Sequence, residues 1–440
     1  MSAFVIALVS VALMLVLLSV GVYVAVVLTF VSYVGVWVIK GNIAVANNLL
    51  LLAVADSISS YVFGVIPLFV LMGMLVSISD IGKDTYAVAN ILFRKIRGGL
   101  GIATVVANAL FAAITGVSIA SASVFTKVSV PQMLQLGYQP RFAVGVVAGS
   151  SVLGMLIPPS LLLILYAVLT DQSVGNMFLA GVVPGLLLSF LYCIGILVMA
   201  YGFPHTVVSS APRVETEGAG MPLSEAALKL APIVTLIGVI IGGIYGGVFT
   251  PTEAGAVGAL GAFFLTVARK KLTWRSLWTV LVETGHVTAA ICFLIISATM
   301  YSRMLGVAGV PGQLADWVTS LHTSFYAVLA IYILIILVLG CLLDAASIML
   351  ITVPLFLPLF APFNADLVWL GIVTTIAVEI GLLTPPFGVA VFVIKASLDN
   401  PRITVNDIFR GALPFAGIML LTLLLVVFFP TLVTVLLTSR

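Results

Sequence analysis

The stretch "GSSVLGMLIPPSLLLILYAVL" at residues 149–169 decides the fold. Nearly all of its side chains suit lipid, yet Gly154 and the pair Pro158-Pro159 interrupt it. Proline has no amide hydrogen and its ring clashes with the preceding turn, so two in succession break a helix. In hydrocarbon, each freed carbonyl costs several kcal/mol unless another group satisfies it. The rest of the chain must therefore supply partners for these carbonyls.

The composition around this stretch is that of a membrane protein. Of 440 residues, 62% are hydrophobic and 8% are charged, and the mean hydropathy is +1.32. Soluble domains carry roughly a quarter charged residues. Apolar runs of about 20 residues recur, and each is long enough to cross a hydrocarbon core of ~30 Å. We therefore predict an all-α polytopic membrane protein, with the lipid bilayer and not nucleic acid as its surroundings.

Two basic clusters orient the apolar runs. Arg94, Lys95 and Arg97 form one cluster, and Arg269–Lys271 form the other. The positive-inside rule places such clusters in the cytoplasm. Each half of the chain then has five crossings, about ten in all, and an odd number per half inverts the second half relative to the first. Both termini are predicted to lie outside.

Interruptions in the apolar runs define the predicted organisation. A small, hydroxyl-rich break at "TGVSIASAS" (115–123) indicates a re-entrant hairpin rather than a crossing. The first inverted repeat spans 1–202, with scaffold helices, an interface arm, hairpin 1 at about 99–135 and a broken helix at about 142–169. A cytoplasmic linker follows at 203–222. The second repeat spans 223–440, with hairpin 2 at about 325–362 and a broken helix at about 367–396.

An internal repeat indicates which groups satisfy the carbonyls that Pro158 and Pro159 leave free. "VEIGLLTPPFGVAVFVIK" (378–395) repeats the spacing G-x-L-x-P-P, and Pro385 lies 227 residues after Pro158. A small-residue break precedes each pair at a similar distance, around Ser118 and around Asp344 in "GCLLDAAS". Helix ends that meet at mid-membrane expose carbonyls to a cation and amides to an anion. A lone Pro-Pro pair more often marks a packing kink, but a matched pair predicts a binding site.

These residues also resemble a known family. "TGVSIASAS", "GMLIPPSLLLILYAVLTDQSVGNMFLAGVVPGLLL", "GGVFTPTEAGAVGAL" and "VEIGLLTPPFGVAVFVIK" are similar to the large membrane subunit of TRAP (tripartite ATP-independent periplasmic) transporters. The resemblance implies sodium-driven import of an organic acid across the bacterial inner membrane by an elevator mechanism, with both termini in the periplasm. It also implies a small four-helix membrane subunit, a periplasmic substrate-binding protein and no cofactor beyond the coupling sodium ions.

The resemblance assigns site residues motif by motif. The first sodium site would use Gly116, Ser118 and Ser121 with backbone from Gly154 to Pro158. The second would use Asp344, Ser347 and Thr384 with backbone from Gly381 to Pro385. Substrate would lie near Pro159, Ser160 and Pro386. Many family members read T-G-S-S at the first hairpin tip, where this chain has Val117. One expected hydroxyl is therefore missing from the first site.

Two charged residues at membrane depth also need an interpretation. Lys127 follows the first hairpin tip, where it could attract a substrate carboxylate or could extend its stem toward the cytoplasm. Glu379 precedes the second break, and we expect it to hydrogen-bond the unwound backbone. Ionisable groups inside a membrane are costly, so each is a candidate for function.

Enzymatic readings have little support in the sequence. It contains no Walker A motif, no G-x-S-x-G and no H-E-x-x-H. We therefore expect a transporter and not an enzyme. Two alternatives remain open: a stand-alone sodium-coupled anion symporter of related inverted-repeat fold, and an intramembrane hydrolase that uses Ser118 or Ser160. The identity of the organic acid does not follow from the chain.

Overall fold

The computed structural model describes residues 2–208, 222–320, 323–386, 388–398 and 400–437. These ranges form helices joined by short connections, with a single isolated bridge between Tyr138 and Val208 and no strand. The first half contains α1 (Ala3–Ser19), α2 (Val24–Lys40), α3 (Ile43–Ser59), α4 (Val65–Ile78), α5 (Ile81–Phe93), α6 (Gly99–Thr115), α7 (Ser118–Gln135), α8 (Pro140–Ser151), α9 (Leu153–Leu156), α10 (Leu161–Leu169), α11 (Val174–Gly202) and α12 (Pro204–Val207).

The second half repeats this plan. It contains α13 (Leu223–Tyr245), α14 (Pro251–Ala268), α15 (Trp274–Val307), α16 (Val310–Ser320), α17 (Phe325–Gly340), α18 (Ala345–Phe360), α19 (Leu367–Leu383), α20 (Val389–Ser397), α21 (Val405–Phe428) and α22 (Thr431–Thr434). The hairpins are α6–α7 and α17–α18. The broken helices are α8–α10 and α19–α20.

The described helices have the lengths and composition of membrane spans. Six of them are long and apolar enough to cross a bilayer singly, and the number is up to eight if each of two bent pairs, α4–α5 and α8–α10, forms one span. Shorter apolar helices such as α1 and α2 have 17 residues each, about 26 Å at 1.5 Å per residue. The predicted fold class, an all-α polytopic membrane protein with two hairpins and two broken helices, is confirmed.

The helices pack as two groups, and each group takes elements from both halves. In one group α14 packs on α4, and α15 packs on α2, α3 and α4. The other group contains both hairpins and both broken helices together with α11 and α21: α21 packs on α8 and α11, α11 packs on α6 and α10, and α17 packs on α19. We call the first group the scaffold and the second the hairpin group.

The two halves exchange helices inside the hairpin group. The last segment of the first broken helix, α10, packs on α18 of the second hairpin. The last segment of the second broken helix, α20, packs on α7 of the first hairpin. The segment after each break is therefore packed on the other half of the chain, which joins the two interrupted helices into one packed unit.

The start of the predicted linker is folded. Residues 204–207 form α12, and Val208 bridges to Tyr138. The Gln139 amide donates to the Val207 carbonyl (2.9 Å), and Gln139 Nε2 donates to the His205 carbonyl (3.3 Å). These contacts fix the end of α11 to the connection between α7 and α8. Residues 209–221 of the predicted linker lie outside the described residues.

Ion pairs join the second basic cluster to the scaffold. Arg269 bonds Asp84, and Lys271 Nζ lies 2.6 Å from Asp80, which also pairs with Lys83. Hydrogen bonds from Lys271 and then Lys83 lower the pKa of Asp80 below its ordinary value. This side of the scaffold is therefore closed by charges of both signs.

Candidate functional site

The first break keeps its own polar groups largely satisfied. The helix ends at Leu156, and Ser160 caps the next segment by accepting from the Leu163 amide (3.3 Å). The Ser160 hydroxyl donates to the carbonyl of Met155, one of the groups that the prolines leave without an amide partner. Residues 151–160 are all buried. The capping serine therefore resolves part of the polar cost of the break.

The tip of hairpin 1 supplies the next partner. Gly116 separates α6 from α7 with φ +64°, a left-handed conformation that favours glycine. Its carbonyl accepts from the Leu161 amide (3.2 Å). A Cβ at Gly116 would lie 2.5 Å from the Pro159 carbonyl oxygen. The facing hairpin therefore contacts the break directly, as the sequence led us to expect.

Besides Met155, the carbonyls of Gly154 and Ile157 in the first break lack an amide of the ordinary helical register. The partner of Gly154 would be Pro158, which has no N–H, and the partner of Ile157 would be Leu161, whose amide donates to Gly116. Gly154 also packs on the tip, since a Cβ there would lie 3.2 Å from the amide nitrogen of Ser118. Neutral oxygens of this kind suit a hard cation.

A buried polar chain stands behind this tip. Ser121 Oγ donates to Asn108 Oδ1 (2.7 Å), and Asn108 Nδ2 donates to Ser150 Oγ (2.6 Å). All three side chains have no exposed area. The chain joins α7, α6 and α8, so the hydroxyl of Ser121 is already engaged in positioning the hairpin. Sequence reasoning missed Asn108, although a lone amide in the apolar run "VVANALFAAI" is a signal of the kind that marks functional residues in membranes.

The second break has matching contacts with different chemistry. Gly340 and Gly381 touch, and a Cβ at Gly340 would lie 2.5 Å from the Gly381 Cα. The Thr384 hydroxyl lies 2.8 Å from the Gly381 carbonyl and 3.2 Å from Cys341 Sγ at the tip. Asp344 caps α18 by accepting from the Ser347 amide (3.2 Å) and from the Ser347 hydroxyl. Gly381 and Thr384 therefore contact the tip at Gly340 and Cys341, whereas Asp344 and Ser347 bond each other at the start of α18.

The two breaks differ in exposure. Pro159, Ser160 and the whole first break are buried, whereas Asp344, Pro385 and Pro386 are exposed. Both Pro-Pro pairs have cis peptide bonds.

Lys127 lies apart from the predicted substrate residues. Its side chain is exposed on α7, nine residues beyond Ser118, which is about 14 Å along a helix. The structure does not bring it to the break, and its contact with substrate stays a prediction.

A small cavity marks where the two sites and the scaffold meet. It has a volume of about 30 Å³ and is lined by residues of the first break, the second tip and the scaffold, among them Met155, Leu161, Ala345, Ala346, Ile66 and Ile291. A space of this size holds about one water molecule. None of the residues predicted to hold substrate, Pro159, Ser160 or Pro386, lines this space.

A larger polar cavity lies between the scaffold and the hairpin group. Its volume is about 370 Å³, and its polar lining includes Asp56, Ser57, Ser60, Asp171, Ser302 and Arg303. Arg303 bonds Asp56 and donates to the Leu49 carbonyl (3.1 Å), which joins α15 to α3. Sequence analysis did not predict this cavity, because its residues come from four separate elements.

Glu379 does not behave as expected. Both of its carboxylate oxygens are buried without a hydrogen-bond partner among the described residues, and so is the hydroxyl of Tyr192. Glu379 is 1% exposed. The predicted hydrogen bond from the unwound backbone is wrong, because no backbone amide of the described residues donates to either oxygen.

Comparison with known proteins agrees with this architecture. The family model described as "Tripartite ATP-independent periplasmic transporter, DctM component" matches residues 11–432. The C4-dicarboxylate TRAP transporter large permease protein DctM of Pseudomonas aeruginosa is 34% identical over 371 residues, 84% of each chain. The sialic acid TRAP transporter large permease protein SiaM of Vibrio cholerae is 32% identical over 375 residues, 85% of each. The ectoine TRAP transporter large permease protein TeaC of Halomonas elongata is 28% identical over 96% of each.

A solved structure shares the fold. The crystal structure of the Alcanivorax borkumensis YdaH transporter aligns with a TM-score of 0.58, over 86% of this chain and 87% of that one. The sequence identity is 14%, so the likeness concerns the fold alone.

Proposed function

Because the chain belongs to the family of the DctM component of tripartite ATP-independent periplasmic transporters, we propose that it imports an organic acid with sodium across the bacterial inner membrane. It is a multi-pass transport protein and not an enzyme, as its relatives are permeases. The hydrolase alternative, which would use Ser118 or Ser160, is not supported, because the relatives are permeases and the Ser160 hydroxyl is engaged as a helix cap.

One observation carries the sodium proposal: a hairpin tip touches the broken backbone in both halves. Gly116 meets Pro159 and Leu161 in the first half, and Gly340 meets Gly381 in the second. Backbone carbonyls lie at both contacts, the Thr384 hydroxyl lies at the second, and the carboxylate of Asp344 caps the helix that follows the second tip. Sodium is a hard monovalent cation that such oxygens bind without a cluster of acidic ligands. We propose one sodium ion at each contact.

The packing supports an elevator movement. Both proposed ion sites lie inside the hairpin group, whereas the scaffold helices meet that group through α4 with α6 and α10 and through α15 with α18; α5 connects the two groups by packing on α6 and α7. Ion and substrate binding would lock the tips onto the breaks, and the hairpin group would then move as one body along the scaffold. The polar cavity beside Arg303 would be the entrance from the outer side.

The contacts at the break favour a chemical class of substrate. Helix N-termini at Ser118 and Ser160 point positive dipole ends toward the break, which favours an anionic group. Relatives of nearly equal identity carry C4-dicarboxylate and sialic acid in their names. We therefore propose a small carboxylate, delivered by a periplasmic binding protein, with a small membrane subunit as the second partner.

Reconstitution tests this function. The purified chain is placed in proteoliposomes with and without the small subunit and the cognate binding protein, and uptake of labelled acids is measured under an inward sodium gradient. We expect uptake only with all three parts and with sodium. Sodium-driven uptake by the chain alone would support the stand-alone symporter, and equal uptake with choline in place of sodium would refute the ion coupling.

A further inference from the structure

A third cavity lies far from both breaks, where α8 and α21 begin and α11 ends. Its volume is about 570 Å³, within the range of ligand-binding pockets. One wall is apolar and includes Phe142, Met199, Phe203 and Pro414. The cavity therefore offers a long apolar surface that neither transport site uses.

The rim of this cavity is basic. Arg141, Arg410 and His205 line it, and no acidic side chain is among its described lining residues. Arg141 forms an ion pair with Asp407, whose Oδ1 lies 2.8 Å from Arg141 Nε. No ion pair engages Arg410 within the described ranges of the chain. An anion bound at this rim would therefore contact at least one guanidinium, that of Arg410, whose charge no acidic side chain of the described residues neutralises.

The position of the cavity in the fold indicates its depth in the membrane. α8 starts at Pro140, directly after hairpin 1, and α11 ends at the folded start of the linker. Under the predicted topology these ends lie on the cytoplasmic side with the basic clusters. The basic rim is then at the level of lipid headgroups, and the apolar wall extends toward the acyl region. Basic pockets between membrane helices on this side suit anionic headgroups.

We propose that this cavity binds an anionic phospholipid of the cytoplasmic leaflet. Its phosphate contacts Arg410 and Arg141, and one acyl chain lies along Phe142, Met199 and Phe203. The apolar wall distinguishes this occupant from a free phosphate ion, which would gain nothing from it. Because the site joins α8, α11 and α21, the lipid stabilises the cytoplasmic end of the hairpin group. The inference goes beyond the proposed transport function and does not depend on the identity of the substrate.

Native mass spectrometry of the full chain, released from detergent, tests the proposal. The probes are phosphatidylglycerol and phosphatidylcholine with the same acyl chains. The variant Arg410→Gln is compared with Arg402→Gln, which removes the same charge from an exposed residue outside the cavity. We expect Arg410→Gln to weaken phosphatidylglycerol binding about fivefold, from the value of one basic group near an anionic lipid surface. Arg402→Gln should leave it unchanged.

Two further measurements distinguish a bound lipid from a bound phosphate ion. Phe203→Ser should also weaken phosphatidylglycerol binding, because it removes apolar wall without changing charge, and excess inorganic phosphate should not displace the lipid. Equal effects of Arg410→Gln and Arg402→Gln would overturn the site, and equal retention of phosphatidylcholine would overturn the anionic headgroup. Displacement by inorganic phosphate together with an inert Phe203→Ser would assign the rim to a free ion.

Discussion

Replacing Gly116 with alanine places a methyl group against the carbonyl that faces the first hairpin tip. The added Cβ would lie 2.5 Å from the Pro159 oxygen, whereas real Cβ contacts stay beyond 3.0 Å. The carbonyl must therefore retreat by about 0.5 Å, which exceeds the ~0.2 Å within which metal–ligand distances hold. The substitution acts on the proposed sodium site without removing any hydrogen-bonding group.

The chain contains a matched control. Gly41 has φ +63° and ψ 12°, and Gly116 has φ +64° and ψ 12°; each follows the last residue of a helix. A Cβ at Gly41 meets nothing within 4 Å. Alanine at either position incurs the left-handed penalty of about 1–2 kcal/mol. Only Gly116→Ala adds the overpacking cost of about 1–3 kcal/mol.

The assay measures the sodium concentration that gives half-maximal uptake in proteoliposomes, together with the unfolding temperature in detergent. We expect both variants to lower the unfolding temperature, and Gly116→Ala to lower it more. We expect Gly116→Ala alone to raise the half-saturating sodium concentration, by about tenfold for ~1.4 kcal/mol of overpacking. If Gly116→Ala and Gly41→Ala have the same sodium dependence, the contact with Pro159 does not shape an ion site.

Three further predictions follow from the same geometry. Asp344→Asn keeps the cap on α18 but removes its charge, so it should leave the protein folded and, like Asp344→Ala and Ser118→Ala, weaken sodium-dependent uptake. Asn108→Ala removes the centre of the buried chain between three helices, and it should cost about 1–3 kcal/mol, seen as a lower unfolding temperature. Glu379→Gln should leave both the unfolding temperature and uptake at wild-type values, because neither carboxylate oxygen has a hydrogen-bond partner to lose in the part of the chain that the structure describes.

Each of these predictions has an outcome that contradicts it. Unchanged sodium dependence in both the Asp344 and Ser118 variants would remove them from the ion sites. An Asn108→Ala protein as stable as wild type would show that its two hydrogen bonds add no net stability. Loss of uptake in a folded Glu379→Gln protein would show that the carboxyl group takes part in transport.

Much of the architecture could be predicted from the residues. The low charge, the recurring apolar runs and the interruptions at Gly116, Pro158 and Pro385 led to the helices and breaks that the structure contains. The reason is local. Proline and glycine change the backbone conformation at their own positions. Lipid offers no hydrogen-bond partners, so the rest of the backbone must bond internally as a helix. The repeated G-x-L-x-P-P spacing likewise indicated that the two halves share one plan.

Other features depended on which helices meet. Nothing in the order of residues places α10 on α18 and α20 on α7, engages Ser121 with Asn108, or leaves Glu379 without a hydrogen-bond partner among the described residues. These contacts join positions far apart in the chain, and several alternatives satisfy the same local pattern. The sequence by itself determined where the helices must break, because the backbone rules are local. Only the tertiary packing decided which groups satisfy each break, because close packing selects one set of neighbours from many.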